Sequence, residues 1–178
     1  MKEWNVVLTS HANQERRLLS ELAGLGEFQS TGFREVIIGL VPNTPEFLET
    51  LLKRWQEQLF LPEMLSTVAP VRAVFPFTLE NLLGRLEEQV KPLALEIGEQ
   101  PFYVRLKRRG HKGEIASQEV EQALDRFLKE ELDSLGFTPT IGFKNPGAIV
   151  VVEIIHNQCG VGLIPWDLKA RYPFIKVK

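Results

Sequence analysis

Sulfur and histidine are scarce in this sequence of 178 residues. The single cysteine, Cys159, excludes an internal disulfide framework and a multi-cysteine metal site. The three histidines, His11, His111 and His156, lie far apart and belong to no His-Glu-x-x-His or Cys-x-x-Cys pattern, so no metal is expected. His156 is near Cys159 in sequence, which suggests a nucleophile and its base. The neighbours of Cys159 are apolar and strand-like, and a small buried residue at a strand start is the stronger expectation. The phosphate loop, the dinucleotide turn and the Gly-x-Ser-x-Gly elbow are all missing. Catalytic residues and cofactors are therefore expected to be none. No apolar run is long enough to cross a bilayer. The start, Met-Lys-Glu-Trp-Asn, opens into a strand-like run without the charged head and apolar middle of a secretory signal. A cytoplasmic protein with no membrane partner is expected. Excess charge is missing too: the net charge of −2 argues against a protein that coats nucleic acid nonspecifically.

Hydrophobic residues make up 44% and charged residues 25%, an ordinary balance for a globular chain long enough for one large or two small domains. Trp4 to Thr9 reads as a strand. Leu18, Leu19, Leu22 and Leu25 fall at helical spacing within 15–25. Phe28 to Val41 reads as two strands around a turn near 30–32. Pro42 to Pro45 starts a helix, with Thr44 as N-cap, that buries Phe47, Leu48, Leu51, Leu52, Trp55 and Leu59. A strand over Val71 to Phe75 closes the series. Strand, helix, two strands, helix, strand is the order of a ferredoxin-like unit. In the second half, Thr78 is expected to cap a helix carrying Leu79, Leu82, Leu83, Leu86 and Val90, which Pro92 ends. Phe102 to Arg108 alternates, and Ser117 is expected to cap a helix closed by Gly136. Short strands are expected at Thr140 to Phe143, Ala148 to Ile155 and Cys159 to Ile164, with a turn over Asn157 to Gly160. The fold class is α+β, divided into residues 1–77 and 78–178.

Charge is distributed unevenly along the chain. Glu119, Glu121, Asp125, Glu130 and Glu131 crowd onto a helix, where they read as a solvated face. Arg105, Lys107, Arg108, Arg109 and Lys112 crowd into one stretch, with no acid between Tyr103 and Gly113. Alternation puts Arg105 and Lys107 opposite Val104 and Leu106. Arg108, Arg109, His111 and Lys112 then sit at a strand end and in a turn made mobile by Gly110 and Gly113. A strand end, a glycine turn and a following helix N-terminus suit phosphate. The same run would equally serve as a charged guard on an edge strand, and composition leaves both open.

From Phe102 onward the chain resembles a THUMP domain, the RNA-binding module of several tRNA-modifying enzymes. The residues that carry the likeness are Phe102-Tyr-Val-Arg-Leu-Lys-Arg-Arg-Gly110, the helix with Val120, Ala123 and Leu124, and Phe143-Lys-Asn-Pro-Gly147. The strand Ile149-Val-Val-Val-Glu-Ile-Ile155 and the ending Cys159-Gly-Val-Gly-Leu-Ile-Pro-Trp-Asp-Leu-Lys-Ala-Arg-Tyr172 complete it. The chain is most similar to stand-alone THUMP proteins that act as adaptors in tRNA cytidine acetylation. The resemblance implies a ferredoxin-like unit over 1–77 followed by a THUMP-like α/β domain over 78–178, docking on the acceptor-stem side of tRNA. It implies RNA contacts from Arg105, Lys107, Arg108, Arg109, Lys144 and Asn145, with His111 and Lys112 in the adjoining loop. No catalytic domain follows before Lys178, so a noncatalytic adaptor for a separate tRNA-modifying enzyme is expected. The alternative is a protein-interaction or regulatory module with no RNA role, in which the basic run only guards an edge. A small enzyme would rest on His156 and Cys159 alone. Trp166 is expected in the core, with stacking on a base as the other possibility.

Overall fold

The computed structural model describes residues 1–58 and 60–177. They form two compact units, Met1–Val71 with Leu168–Lys176, and Arg72–Asp167 with Val177. This division departs from 1–77 and 78–178 in two ways. The strand expected over Val71 to Phe75 does not close the first unit: β4 (Leu65–Pro70) does, and β5 (Ala73–Pro76) belongs to the other sheet. The backbone changes sheets between adjacent residues: Val71 N–H donates to Asn5 O, and Arg72 N–H to Val161 O. The chain end also returns to the first unit. Phe174 is fully buried, its carbonyl accepts from Val68 N–H, and its ring lies 5.6 Å from Trp55. Arg171 and the Tyr172 hydroxyl both donate to Glu49, which holds that carboxyl at about 2.

The first unit runs β1 (Val6–Ser10), α1 (Glu15–Leu22), β2 (Glu27–Ser30), β3 (Val36–Leu40), α2 (Thr44–Glu57), α3 (Leu61–Met64), β4. This is the order read from the sequence with one short extra helix. The sheet order is β2-β3-β1-β4, all antiparallel. Helix faces close over it through Leu18 and Leu22 on α1 and Phe47, Leu48 and Leu51 on α2. Leu59, expected on the same face, lies outside the described residues. Asn43 rather than Thr44 caps α2, its Oδ1 accepting from Glu46 N–H at 3.0 Å. Gly39 is required by packing: a Cβ there would lie 2.4 Å from the Phe28 ring.

The second unit runs β5, α4 (Leu82–Val90), a 3-10 turn over Lys91–Leu93, α5 (Ala94–Ile97), β6 (Phe102–Arg109), α6 (Ser117–Ser134), β7 (Ala148–Ile155) and β8 (Gln158–Pro165). A final helix, α7 (Trp166–Arg171), begins here. The sheet order is β5-β8-β7-β6, parallel only between β6 and β7, which α6 connects. One sheet face and the helices form the core. Phe102, Val104, Leu106, Val150, Val152, Ile154, Cys159, Val161 and Leu163 pack with Leu82, Leu86 and Val90 and with Leu124, Leu128 and Leu132. Each helical trio repeats at four-residue spacing, which presents one stripe to the sheet. Leu79 and Leu83 remain exposed. Thr78 and Asn81 bond each other's backbone N–H before α4, at 2.8 and 3.3 Å. Ser117 is the first residue of α6 and makes no capping bond. The strand expected over Thr140 to Phe143 reduces to a single bridge from Ile141 to Phe102. The turn joining β7 to β8 is His156-Asn157, with His156 at φ +54°. Among the described residues no helix is long and apolar enough to cross a membrane.

Candidate nucleic-acid interface

The basic run occupies β6 and the turn after it. Strand parity sends Phe102, Val104 and Leu106 into the core and Tyr103, Arg105, Lys107 and Arg109 to the opposite face. Arg108 follows Val104 and Leu106 in parity, so the cations do not share one face. β6 is an edge strand, yet its backbone is not open. Phe102 N–H donates to Thr140 O, Val104 N–H to Asp125 Oδ1 at 3.2 Å, and Leu106 N–H to Glu121 Oε2 at 2.8 Å. Glu121 and Asp125 are one turn apart on α6 and lie along the strand. They guard this edge, so protection of the edge does not account for the basic run. Burial raises Asp125 to about 6, with the nearby Glu121 adding to the rise and the Val104 N–H opposing it.

Two of the arginines are tied inward. Arg105 lies 3.5 Å from Glu121 Oε2 and over the Tyr103 ring at 5.3 Å. Arg109 pairs with Glu153, a β7 residue that is 4% exposed. Burial pushes the Glu153 carboxyl up, and Arg109 and Lys107 pull it back toward the charged form. Lys107 is the register partner of Glu153 across the two strands. Arg108 Nη1 donates to Gly110 O at 2.7 Å. Lys107 and Arg108 are part-exposed, and Lys112 is exposed.

The turn itself is pinned rather than mobile. Gly110 (φ +96°), His111 (φ +56°) and Gly113 (φ +81°) take the left-handed backbone that closes it. His111 Nε2 lies 2.8 Å from His156 O and 2.9 Å from Asn157 Oδ1, so it carries the proton. Nδ1 faces Glu114 at 3.4 Å, and the ring packs 5.4 Å from Phe77. His156 N–H donates to Arg109 O. His111 is thus a clasp between the two hairpin ends, not an open contact.

Lys144 and Asn145 are exposed in the loop before β7. Because β6 and β7 are parallel, this loop lies at the other end of the eight-residue β6, about 23 Å from the turn. A row of side chains spans the gap. Phe143, 63% exposed, packs 5.3 Å from Tyr103, which Arg105 covers, and Lys107 and Arg109 follow along the strand.

Trp166 departs from its expected place in the core: it is 51% exposed. It opens α7 directly after β8 and lines a cleft of about 450 Å³ with Gln100, Pro101, Asn145, Pro146 and Gly147. The residue type predicted burial, and no periodicity spanned the strand-to-helix junction to correct it. Cys159 is fully buried in the core, and burial together with Glu153 pushes its thiol far above the usual range, so the nucleophilic thiolate is disfavoured. Among the described residues no three metal-ligating side chains come together.

No curated protein matches the sequence significantly. Solved structures share its fold. TrmN from Thermus thermophilus is 23% identical with a TM-score of 0.65, over 90% of this chain and 45% of that one. PH1313 from Pyrococcus horikoshii Ot3 is 14% identical with a TM-score of 0.59, over 92% and 56%. A 4-thiouridine synthetase, solved as an RNA complex with bound ATP, is 13% identical with a TM-score of 0.57, over 91% and 41%. At these identities the likeness is one of fold, and the chain spans about half the length of these proteins. The family profile of the THUMP domain matches residues 83–163, from α4 through most of β8. Those residues of the chain are a THUMP domain.

Proposed function

We propose that this protein binds structured RNA, tRNA foremost, and acts in the cytoplasm as a noncatalytic adaptor that presents it to a separate modifying enzyme. The observation that carries this reading is the cover on β6. Because Glu121 and Asp125 already occupy outer N–H groups of the strand, edge protection does not account for the basic run, and its part-exposed Lys107 and Arg108 and exposed Lys112 are open to another purpose. They lie in a THUMP domain, and one protein of the same fold was solved with RNA bound. Phosphate is the complement of such a cluster. The adaptor role draws support from the side chains best suited to chemistry. Cys159 is buried, and His111 joins two turns.

The part-exposed Lys107 and Arg108 and the exposed Lys112 and Lys144 are the phosphate contacts of this reading. Arg105 adds remaining guanidinium donors, Arg109 holds the strand, and Asn145 contributes an amide. A-form RNA would be recognised through shape and backbone. The test is fluorescence polarisation with whole tRNA and with duplex DNA over a salt series. Tighter binding to tRNA is expected, and each of Lys107→Ala, Lys112→Ala and Lys144→Ala should flatten the salt slope by about 1. Equal binding to both nucleic acids, or none to tRNA, sinks the reading.

A further inference from the structure

At one end of the first unit's sheet, the turn from β1 to α1 meets the hairpin that joins β2 to β3. Two bonds hold them together: Ser10 N–H donates to Glu35 O at 2.9 Å, and Ser30 Oγ donates to Glu15 Oε2 at 3.2 Å. Thr31 braces the hairpin, its Oγ1 donating to Val36 O at 2.9 Å and accepting from Phe33 N–H at 3.1 Å. Asn13 (φ +62°) and Glu35 (φ +66°) both take the left-handed backbone. That conformation is uncommon for a residue such as glutamate, and it gathers where a site is shaped. Between the two loops lies a cleft of about 420 Å³, in the range of small-molecule sites, roughly 300–1,000 Å³.

The lining defines a ligand. Among the described residues three buried side-chain oxygens have no hydrogen-bond partner, Ser10 Oγ, Glu15 Oε1 and Gln58 Oε1, and two of the three are at this corner. A buried acceptor without a donor is costly. Glu15 lines the cleft, and its long bond from Ser30 leaves the carboxyl free to turn Oε1 toward a donor. Arg16 and Arg34 line it too; both are exposed, and among the described residues neither makes an ion pair or hydrogen bond. Glu35 adds a second carboxylate and Phe33 an aromatic wall. The signs balance, two carboxylates against two guanidiniums. A plain anion is opposed by the carboxylates and a plain cation by the guanidiniums. A molecule with an ammonium next to a carboxylate uses both halves. The ammonium has three donors for Glu15 and Glu35, and the carboxylate matches the planar fork of a guanidinium. The remaining volume takes a side chain beside Phe33.

We propose that this cleft binds a free α-amino acid, with Glu15 and Glu35 on its ammonium, Arg16 and Arg34 on its carboxylate, and Phe33 beside its side chain. The inference does not rest on the RNA-binding reading: every residue of the cleft lies in the first unit, outside the THUMP domain.

The probes are the common L-amino acids, each at about 10 mM, in thermal melts of the full chain, with inorganic phosphate as the anion control. At least one amino acid should raise the melting temperature in a dose-dependent way, and phosphate should not. Calorimetric titration then gives the affinity of that amino acid. Its N-acetyl and carboxamide derivatives, each lacking one charge, should bind about tenfold more weakly. Glu15→Gln and Arg34→Gln should each weaken binding by about the same factor. Arg34 is exposed, so Arg34→Gln keeps the fold and carries the comparison if Glu15→Gln, at the start of α1, melts early. No shift with any amino acid overturns the proposal. So does binding that survives both substitutions or the loss of either ligand charge. A shift with phosphate alone makes the cleft an anion site and overturns it as well. None of these outcomes bears on whether tRNA binds.

Discussion

Replacing Arg109 by alanine removes the partner of a buried carboxylate. Glu153 is 4% exposed, and Arg109 is its hydrogen-bonded cation. Breaking such a pair from one side costs about 3–5 kcal/mol, because a buried charge is left uncompensated. Lys107 sits beside Glu153 across the strands and offsets part of the loss, so the expected cost is about 3 kcal/mol. With a urea m-value of about 1–3 kcal/mol/M, the unfolding midpoint should fall by about 1–3 M. The loss should also depend on pH. Burial already raises the Glu153 carboxyl in the folded state, and without Arg109 it rises further. A folded-state value above the unfolded one means that the native form binds the proton more tightly. The variant therefore gains stability relative to the native chain as pH falls from 7 toward 5, and its deficit shrinks. Urea unfolding followed by circular dichroism at both pH values measures this. A cost below about 0.5 kcal/mol, or a deficit that does not change with pH, refutes the assignment of Arg109 as the buried partner. Arg109→Met with Glu153→Leu removes the pair together and should restore most of the stability. That double variant should keep its affinity for tRNA within a few-fold, because the guanidinium it lacks is turned toward Glu153.

Asp125→Asn should flatten one part of the stability-pH curve. Asp125 titrates at about 6 when folded, above its unfolded value, so the native chain gains stability over the variant as pH falls from about 6 to about 4. The side chain is part-exposed, and screening reduces the gain to roughly 1 kcal/mol, measurable by thermal melts; a gain with rising pH would contradict the burial cause. His111→Ala should cost about 1–3 kcal/mol through the lost bonds to His156 O and Asn157 Oδ1. Hydrogen exchange should quicken over 110–115, and tRNA affinity should fall with no change in salt slope; unchanged exchange would mean that the ring does not pin the turn.

The legible parts of the fold were those whose pattern is local. Ala148 to Ile155 is a run of apolar residues bounded by turn signals, and it is β7 without correction. Alternation sorted Phe102, Val104 and Leu106 into the core. Pro70 marks the change of sheet that follows at Val71 and Arg72, but the strand expected over Val71 to Phe75 was read from its apolar residues alone and so ran across the boundary. The C-terminal segment was assigned by position, while its partner Glu49 lies 122 residues away from Arg171. Glu121 and Asp125 looked like a solvated face because only the fold lays α6 along β6. Their four-residue spacing is the signal that could have singled them out.

The inward ties of Arg105 and Arg109 bear on how the proposed RNA binding would work. A guanidinium has five N–H donors in a rigid plane, and one carboxylate contact orients it without using them all. Arg105 is 35% exposed at its side chain despite Glu121, so it is held in place and still faces solvent. The carboxylates that hold the cations also lower the local potential, which weakens attachment to any polyanion by charge alone. A chain of net charge −2 built this way depends on matching several placed contacts at once. On the proposed function, the clasped turn at one end of β6 and the exposed Lys144 and Asn145 at the other, about 23 Å apart, would act together as a gauge. An RNA that reaches only one end forfeits the contacts of the other, and that separation favours a structured RNA over a random polyanion.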